Sequence, residues 1–310
     1  MAVQPTALAR LRRRELSPST FLRLALVQLG ALWLIVATGA AVRLTDSGLG
    51  CRHWPGCEEG HPLPAKDAHA FVEFGNRVVG GLTIAVTLLV WLGARRTRGL
   101  SRWAERAALA IFLGALAQAP LGLLAVASDL RWPVVMAHLL LSILLLGGAV
   151  VLALEALAGV RGRAQPVLPV ELRRLGVVFT TACFVLVVSG SFATAAGPHS
   201  GGGEHIDRFG TLRPTVYAHA VVVGVFLLAF LFSLGYLAAS RASAPDLFRL
   251  GLAVLGLLVL QMGLGEIQWR THLPWGLVLG HVALAAAVWA GTVALATQFF
   301  RPLAASGRPA

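Results

Sequence analysis

Residues 132–157 read WPVVMAHLLLSILLLGGAVVLALEAL, an almost wholly apolar stretch of the 310-residue chain. A helix rises about 1.5 Å per residue, so a stretch of this length spans the roughly 30 Å of hydrocarbon in a bilayer. The whole chain shares this character, since 57% of its residues are hydrophobic, 13% are charged and the mean hydropathy is +0.76. A soluble domain carries about a quarter charged residues. The composition therefore excludes a soluble protein and predicts one that is embedded in the lipid bilayer.

Working outward from this stretch, the hydropathy pattern predicts eight membrane spans. They lie at 22–43, 71–93, 105–127, 133–157, 174–195, 214–239, 247–268 and 275–299. The spans lack the alternating pattern of β-strands, and backbone groups in lipid must be satisfied internally. The sequence thus predicts an all-α integral membrane protein with eight transmembrane helices.

The distribution of basic residues predicts how the chain crosses the membrane. The N-terminal segment, the tail and alternate loops carry 18 of the 26 Lys and Arg residues. Basic residues accumulate on the cytoplasmic side, so both termini are expected there, in the plasma membrane. Because the formal charge of +12 is divided among these short clusters, it indicates membrane orientation and no nucleic-acid partner.

The two halves of the chain repeat each other at an offset of 143 residues. WPVVMAH at 132–138 matches WGLVLGH at 275–281, Gln118 matches Gln261, and Asn76 matches His219. Each half has four spans, so we expect two four-helix bundles related by a pseudo-twofold axis along the membrane normal. The predicted division is an N-terminal segment at 1–21, halves at 22–157 and 174–299, a linker at 158–173 and a tail at 300–310.

Three histidines lie inside spans, where ionisable side chains are costly and indicate function. His138 and His281 occupy equivalent repeat positions, and His219 lies on a neighbouring repeat helix. Zinc would need further thiolate or carboxylate ligands nearby. Imidazoles from two helices among small apolar residues instead favour haem iron, with His219 and His281 as a pair of axial ligands.

The N-terminal half has a different set of polar residues. His138 is its one clear ligand, because Asn76 stands where the other half has His219. His69, Glu73 and Asn76 share one helix face by their spacing. Glu73 is a candidate catalytic acid, although a structural ion pair with Arg77 one turn later is the alternative. This asymmetry predicts a redox cofactor site in one half and a reaction site in the other.

Two stretches carry a family resemblance that covers about residues 22–299. GAAVRLTDSGLGCRHWPGC at 39–57 and HAFVEFGNR at 69–77, together with the repeated histidines, resemble haem A synthases. The resemblance implies an oxidoreductase that converts a methyl group of haem O to the formyl group of haem A for terminal oxidases. It also implies a haem b cofactor in the C-terminal half and substrate haem in the N-terminal half.

The resemblance also assigns residues. His219 and His281 would bind haem b iron, His138 would bind the substrate haem, and Glu73 would be the essential acid. Asn76 replaces a histidine of many relatives, so substrate ligation by Asn76, by His69 or by a five-coordinate iron stays open. The resemblance further implies a disulfide between Cys51 and Cys57, against the alternative of two free thiols.

Five arginines at outer span ends could anchor haem propionates or could extend to the membrane interface. They are Arg43, Arg77, Arg131, Arg213 and Arg270. Expected partners are haem O, the protohaem farnesyltransferase that makes it and a second copy in a homo-oligomer, while the electron donor is not identified. A di-haem electron-transfer cytochrome and, less favoured, a transporter are the alternative functions.

Overall fold

The computed structural model describes residues 15–51, 53, 56–58, 60, 63–64, 67–166, 168–202 and 206–304. The outer parts of the predicted terminal segments, 1–14 and 305–310, lie outside these residues. Eight long helices form this part of the chain. They are α1 (Pro18–Leu44), α2 (Ala68–Ala94), α3 (Arg102–Ala127), α4 (Trp132–Arg161), α5 (Val170–Ala196), α6 (Leu212–Ala239), α7 (Pro245–Arg270) and α8 (Trp275–Phe300).

All eight helices are long and apolar enough to cross a membrane, which confirms the predicted fold class of a multi-pass all-α membrane protein. They extend beyond the predicted spans by up to four residues at an end. Local signals explain several starts: Ser17 accepts a hydrogen bond from the Thr20 N–H before α1, and Asp67 accepts one from the Ala70 N–H before α2. Large apolar side chains such as Leu228 and Phe232 face outward, as a lipid surround requires.

Each half forms a four-cornered bundle. In the N-terminal half α1 packs on α2, α2 on α3, α3 on α4 and α4 back on α1, and α5 to α8 close in the same order. Among the described residues, α2 does not pack on α4 and α6 does not pack on α8. These pairs lie diagonally across their bundles, so side chains from both can meet in the interior.

The halves meet along α4 and α8, with α1 against α8 and α4 against α5 on either side. Trp289 of α8 donates its indole N–H to the Ile143 carbonyl of α4 at 2.8 Å. Trp33 of α1 donates similarly to the Ala283 carbonyl at 3.0 Å. A hydrogen bond in an apolar interior holds helices together where the hydrophobic effect gives little help.

The backbone repeats an unusual turn at the 143-residue offset. Asp129 and Leu130 after α3 have φ angles of 51° and 55°, and His272 and Leu273 after α7 have 62° and 60°. Two successive non-glycine residues in the left-handed region are uncommon and costly. Their presence at both equivalent positions supports the repeat, while the twofold axis and the domain division stay predictions.

Candidate functional site

A cavity of about 420 Å³ lies within the N-terminal bundle, a size typical of small-molecule and cofactor sites. All four helices of this half contribute to its walls. Its polar and charged lining residues are Arg43, Glu73, Asn76, Arg77, Thr83, Gln118, His138, Ser142 and Ser200. Most predicted residues of the N-terminal site therefore surround one space.

Glu73 lies in the wall of this cavity and is only 4% exposed. Its Oε1 is 2.5 Å from Arg77 Nη2, and its Oε2 accepts the Cys51 backbone N–H at 2.7 Å. Buried carboxylates need such partners, because removal from water disfavours the charge. The ion pair expected as the structural alternative is present, and Glu73 nevertheless faces the cavity.

Arg77 connects α2 to the loop that follows α1. Its Nη1 donates to the carbonyls of His53 at 2.6 Å and Gly56 at 2.5 Å, in addition to the pair with Glu73. The planar guanidinium carries five N–H donors in a fixed geometry, so one side chain can hold several acceptors at once. Arg77 thus fixes the loop against the helix that bears the buried acid.

A disulfide joins Cys51 and Cys57, with an S–S distance of 2.13 Å, as the sequence resemblance implied. Both cysteines are buried and pack with Ala70 near the start of α2. Among the described cysteines, Cys183 within α5 is the free one, and it is buried. The disulfide therefore constrains the short segment whose backbone N–H reaches Glu73.

Asn76 and His219 are equivalent by sequence, and each contacts a hydroxyl group on the first helix of its own half. Thr38 of α1 donates its hydroxyl to Asn76 Oδ1 at 2.8 Å. Ser189 of α5 contacts His219 Nδ1 at 2.9 Å. Both halves thus have a hydroxyl group at this place. Its partner is the amide of Asn76 in the N-terminal half and the imidazole of His219 in the C-terminal half.

His69 lies one residue into α2, exposed to the outside, and its Nδ1 is 3.0 Å from Ser47 Oγ. It shares a helix face with Glu73 as predicted, but it is not among the described residues that line the cavity. Its part in substrate ligation stays a prediction, and the structure gives it a loop contact instead.

His138 projects from α4 into the cavity, half-buried, beside α3. A methyl group at Gly122 of α3 would stand 3.5 Å from its Cε1, so the glycine lets the imidazole lie close to that helix. In the other half His281 has the same relationship to Gly265, where a methyl group would stand 3.1 Å from Cε1. The two histidines are therefore equivalent in packing as well as in sequence.

His219 has a ring nitrogen suited to a metal. Ser189 Oγ lies 2.9 Å from both the Leu186 carbonyl oxygen and His219 Nδ1. When the hydroxyl donates to the carbonyl, its oxygen is left to accept from Nδ1–H of His219. The proton of His219 is then on Nδ1, which leaves Nε2 with a free lone pair, the state that binds iron.

The C-terminal residues fit a haem held by two imidazoles. His219 on α6 and His281 on α8 come from diagonal corners of one bundle. The described residues contain no cluster of three His, Cys, Asp or Glu side chains able to hold a metal ion alone. This donor set does not suit zinc, whereas two neutral imidazoles are common axial ligands of haem iron.

Arg43 connects the N-terminal cavity to the C-terminal half. It lines the cavity from the end of α1, and its Nε and Nη2 donate to the carbonyls of His199 and Thr194, each at 3.1 Å. Gly48 also donates its backbone N–H to the Gly201 carbonyl at 2.8 Å. The outer wall of the N-terminal cavity is thus completed by the α5–α6 loop of the C-terminal half.

The three remaining arginines lie outside the described lining of the cavity and are exposed. Arg213 lies over the Tyr217 ring at 5.9 Å, and Arg270 pairs with Glu266 at 2.5 Å. Arg131 is the residue before the first turn of α4. Of the five arginines predicted to anchor propionates, Arg43 and Arg77 are therefore the two that line the N-terminal cavity.

Sequence reasoning did not identify Thr38 and Ser189, the hydroxyl neighbours of Asn76 and His219. They are 151 residues apart, so the offset of 143 that aligns the later helices does not pair them. A separate offset for the first helix of each half would have found them. Gly48 and Gly201, which lie in the outer wall of the N-terminal cavity, gave no periodic signal in the sequence because both lie in loops.

The fold and its histidines define a class: a multi-pass helical membrane protein with histidines inside membrane helices of both halves. A model of the family described as cytochrome oxidase assembly protein matches residues 22–293, and the chain belongs to that family.

Individual relatives agree with this family. The chain is 28% identical over 302 residues to a protein of Shewanella oneidensis named Heme A synthase, covering 80% of this chain and 87% of that protein. It is 29% identical over 140 residues to the Heme A synthase of Geobacillus kaustophilus, covering 44% of this chain and 41% of that protein. It is also 31% identical over 291 residues to a Thermus thermophilus protein named Protoheme IX farnesyltransferase. That match covers 86% of this chain but only 46% of the relative, so the chain spans less than half of that protein's length.

Proposed function

We propose that this protein acts as a haem A synthase, an oxidoreductase that converts a methyl group of haem O to the formyl group of haem A. The observation that carries the proposal is the N-terminal cavity, which brings His138, Glu73 and Arg77 around one space. The names of the relatives from Shewanella and Geobacillus support the same reaction.

The cavity suits an amphiphilic tetrapyrrole with a long apolar chain. Its outer end carries Arg43 and Arg77, whereas its inner end is lined by Leu32, Ile84 and Leu145. Arg43 follows Leu32 by eleven positions on α1, about 16 Å along a helix. Propionates would lie at the arginine end, where guanidinium groups bind carboxylates, and the apolar chain would lie at the inner end.

His138 would bind the iron of the substrate, with Asn76 on the diagonal helix. Glu73 would stabilise positive charge that develops at the reacting carbon or accept a proton there. Arg77 pairs with one carboxylate oxygen of Glu73, and the Cys51 N–H donates to the other. Together these contacts hold the carboxyl group at one point of the cavity wall.

In the C-terminal half, His219 and His281 would hold haem b, which supplies one-electron transfer when bound. One site in each half agrees with a division of the chain into halves at 22–157 and 174–299. We propose that a pseudo-twofold axis relates these two halves. Both termini would lie on the cytoplasmic side of the plasma membrane, as the distribution of basic residues indicates.

The farnesyltransferase that produces haem O is the partner we propose for delivery of substrate. One Thermus protein with that name matches 86% of this chain within 46% of its own length. A single relative therefore carries a region similar to this chain beside a second large region. This combination supports the proposed partnership between the two enzymes.

The test uses cells that make haem O but no haem A, with extracted haems separated by chromatography. Expression of the intact chain should produce haem A. Glu73→Gln should keep the haem b absorption spectrum and reduce haem A by about two orders of magnitude, the usual cost of losing a positioned acid–base or charged group. Near-normal haem A from Glu73→Gln would remove the catalytic role.

Arg77→Gln is the matched control for this test. If Glu73 and Arg77 form only a structural pair, the two variants should lose protein to a similar extent. Retained protein with lost haem A in Glu73→Gln separates chemistry from folding. Absence of haem A from the unmodified chain, with haem O present, would contradict the proposed function itself.

A further inference from the structure

A five-residue pattern is repeated on the third helix of each half. QAPLG occupies 118–122 on α3 and QMGLG occupies 261–265 on α7, so glutamine and glycine lie one turn apart on the same face. Each pattern faces a histidine of the next helix. Gln118 Nε2 donates to the His138 backbone carbonyl at 3.2 Å, and Gln261 Nε2 donates to the His281 carbonyl at 3.1 Å.

Each of these four residues also has a buried polar atom without a hydrogen-bond partner. The atoms are Oε1 of Gln118, Oε1 of Gln261, Nδ1 of His138 and Nδ1 of His281. Buried polar atoms in folded proteins are nearly always paired, so an unpaired set that recurs in both halves needs an explanation. The set consists of one acceptor, the amide oxygen, and one ring nitrogen that can carry a proton in each half.

In the C-terminal half, the Cε1–Nδ1 edge of the His281 ring faces α7, the helix that carries Gln261. A methyl group at Gly265 would stand 3.1 Å from Cε1 and 3.5 Å from Nδ1 of His281, and Gln261 is one turn before Gly265. The amide nitrogen of Gln261 already contacts the backbone of the same histidine. The two unpaired atoms therefore belong to neighbouring side chains on facing helices.

We propose that Gln118 and Gln261 are positioning residues for the haem-binding histidines. When Nε2 of His281 binds iron, its Nδ1–H donates to Gln261 Oε1, and His138 and Gln118 form the same pair in the other half. This inference rests on the proposed function, because it requires these histidines to bind haem. Histidines bound to metals almost always donate their second ring N–H to an acceptor, which orients the ring and raises its basicity. Ser189 Oγ, 2.9 Å from Nδ1, is the hydroxyl at the same place beside His219.

The proposal predicts an electronic effect that a purely structural glutamine would not have. An acceptor at Nδ1–H makes the imidazole a stronger donor, which stabilises ferric haem and lowers the reduction potential. A glutamine that only ties α7 to α8 through the His281 carbonyl would affect protein yield instead. The reduction potential of haem b therefore separates the two roles.

The experiment is a redox titration of haem b in the purified full-length protein, followed by absorption. Gln261→Met has a similar size but no acceptor oxygen, and it should raise the potential. Gln261→Glu keeps an oxygen at that place, and it should leave the potential at or below that of the unmodified protein. If Gln261→Met is not recovered, Gln261→Asn, whose shorter amide does not reach the ring, replaces it with the same expectation.

Gln118→Met is the matched control in the other half. It should leave the haem b potential unchanged and weaken binding of added haem to the N-terminal site by about 10–100-fold, the usual cost of removing such a partner. An unchanged potential in Gln261→Met, or a rise in both Gln261→Met and Gln261→Glu, would overturn the proposal. Absence of haem b from the unmodified protein would instead contradict the proposed function.

Discussion

The backbone N–H of Cys51 donates to Oε2 of Glu73 at 2.7 Å, so a residue of the disulfide directly holds the buried acid of the cavity. Arg77 holds the other carboxylate oxygen and also binds two carbonyls of the same loop. The loop after α1 is therefore part of the site. Changes that move this loop should affect the chemistry without touching the cavity wall.

Gly50 provides the most direct test of that dependence. A methyl group there would stand 2.7 Å from the His69 backbone carbonyl, a contact that a helix backbone cannot relieve. Gly50→Ala should displace Cys51 from Glu73 and lower haem A at least tenfold, as expected when a catalytic group loses its position. Haem chromatography of expressing cells measures the change.

Gly75→Ala is the control for this substitution. Gly75 lies on α2 between Glu73 and Asn76, and a methyl group there meets nothing within 4 Å. Alanine also favours a helix over glycine by about 1 kcal/mol. Near-normal haem A is expected; equal loss in both glycine variants would show that the loop contact is not the cause.

The disulfide should support the loop without being essential to the hydrogen bond. Cys51→Ser retains the backbone N–H that reaches Glu73, but it removes a cross-link worth roughly 2 kcal/mol for so short a loop. Haem A should fall by less than in Glu73→Gln. Mass spectrometry of non-reduced peptides should recover Cys51 joined to Cys57, with Cys183 free.

Two results would contradict the predictions about the disulfide. Alkylation of both Cys51 and Cys57 without prior reduction would show that the bond is absent in the membrane. Loss of haem A in Cys51→Ser as complete as in Glu73→Gln would show that the backbone contact alone does not hold the acid.

The C-terminal histidines should be needed for haem b. His219→Ala or His281→Ala should remove the low-spin haem signal in absorption and electron paramagnetic resonance spectra, because each supplies one of two axial ligands. Asn76→Ala is the matched control at the position equivalent to His219, and it should keep the signal. Survival of the low-spin signal in both histidine variants would show that other residues bind the iron.

Arg43 should stabilise the contact between the N-terminal and C-terminal halves. Arg43→Gln loses charged hydrogen bonds to His199 and Thr194 carbonyls, which should cost about 2 kcal/mol or more. Thermal unfolding in detergent should show a lower Tm. The exposed Arg131 is the comparison, since Arg131→Gln should change stability by less than about 0.5 kcal/mol. Equal Tm values for the two variants would remove the bridging role.

The sequence by itself determined the membrane class, the eight helices and the location of three histidines inside spans. Transfer of an apolar stretch from water to lipid is a local property, because it depends on the residues within one helix. The spacing of His69, Glu73 and Asn76 likewise predicted a shared face on α2. Local geometry sufficed for each of these.

Only the tertiary structure decided which side chains meet across helices. It brought Glu73 into the cavity, held by Arg77 and Cys51, and left His69 outside with Ser47. It also closed the cavity with Gly201 from the other half. These contacts depend on how each helix is rotated about its axis and on the path of the loops. The packing of residues that are distant in sequence sets the helix rotations and the loop paths. Neither can therefore be predicted from hydropathy or from spacing along a single helix.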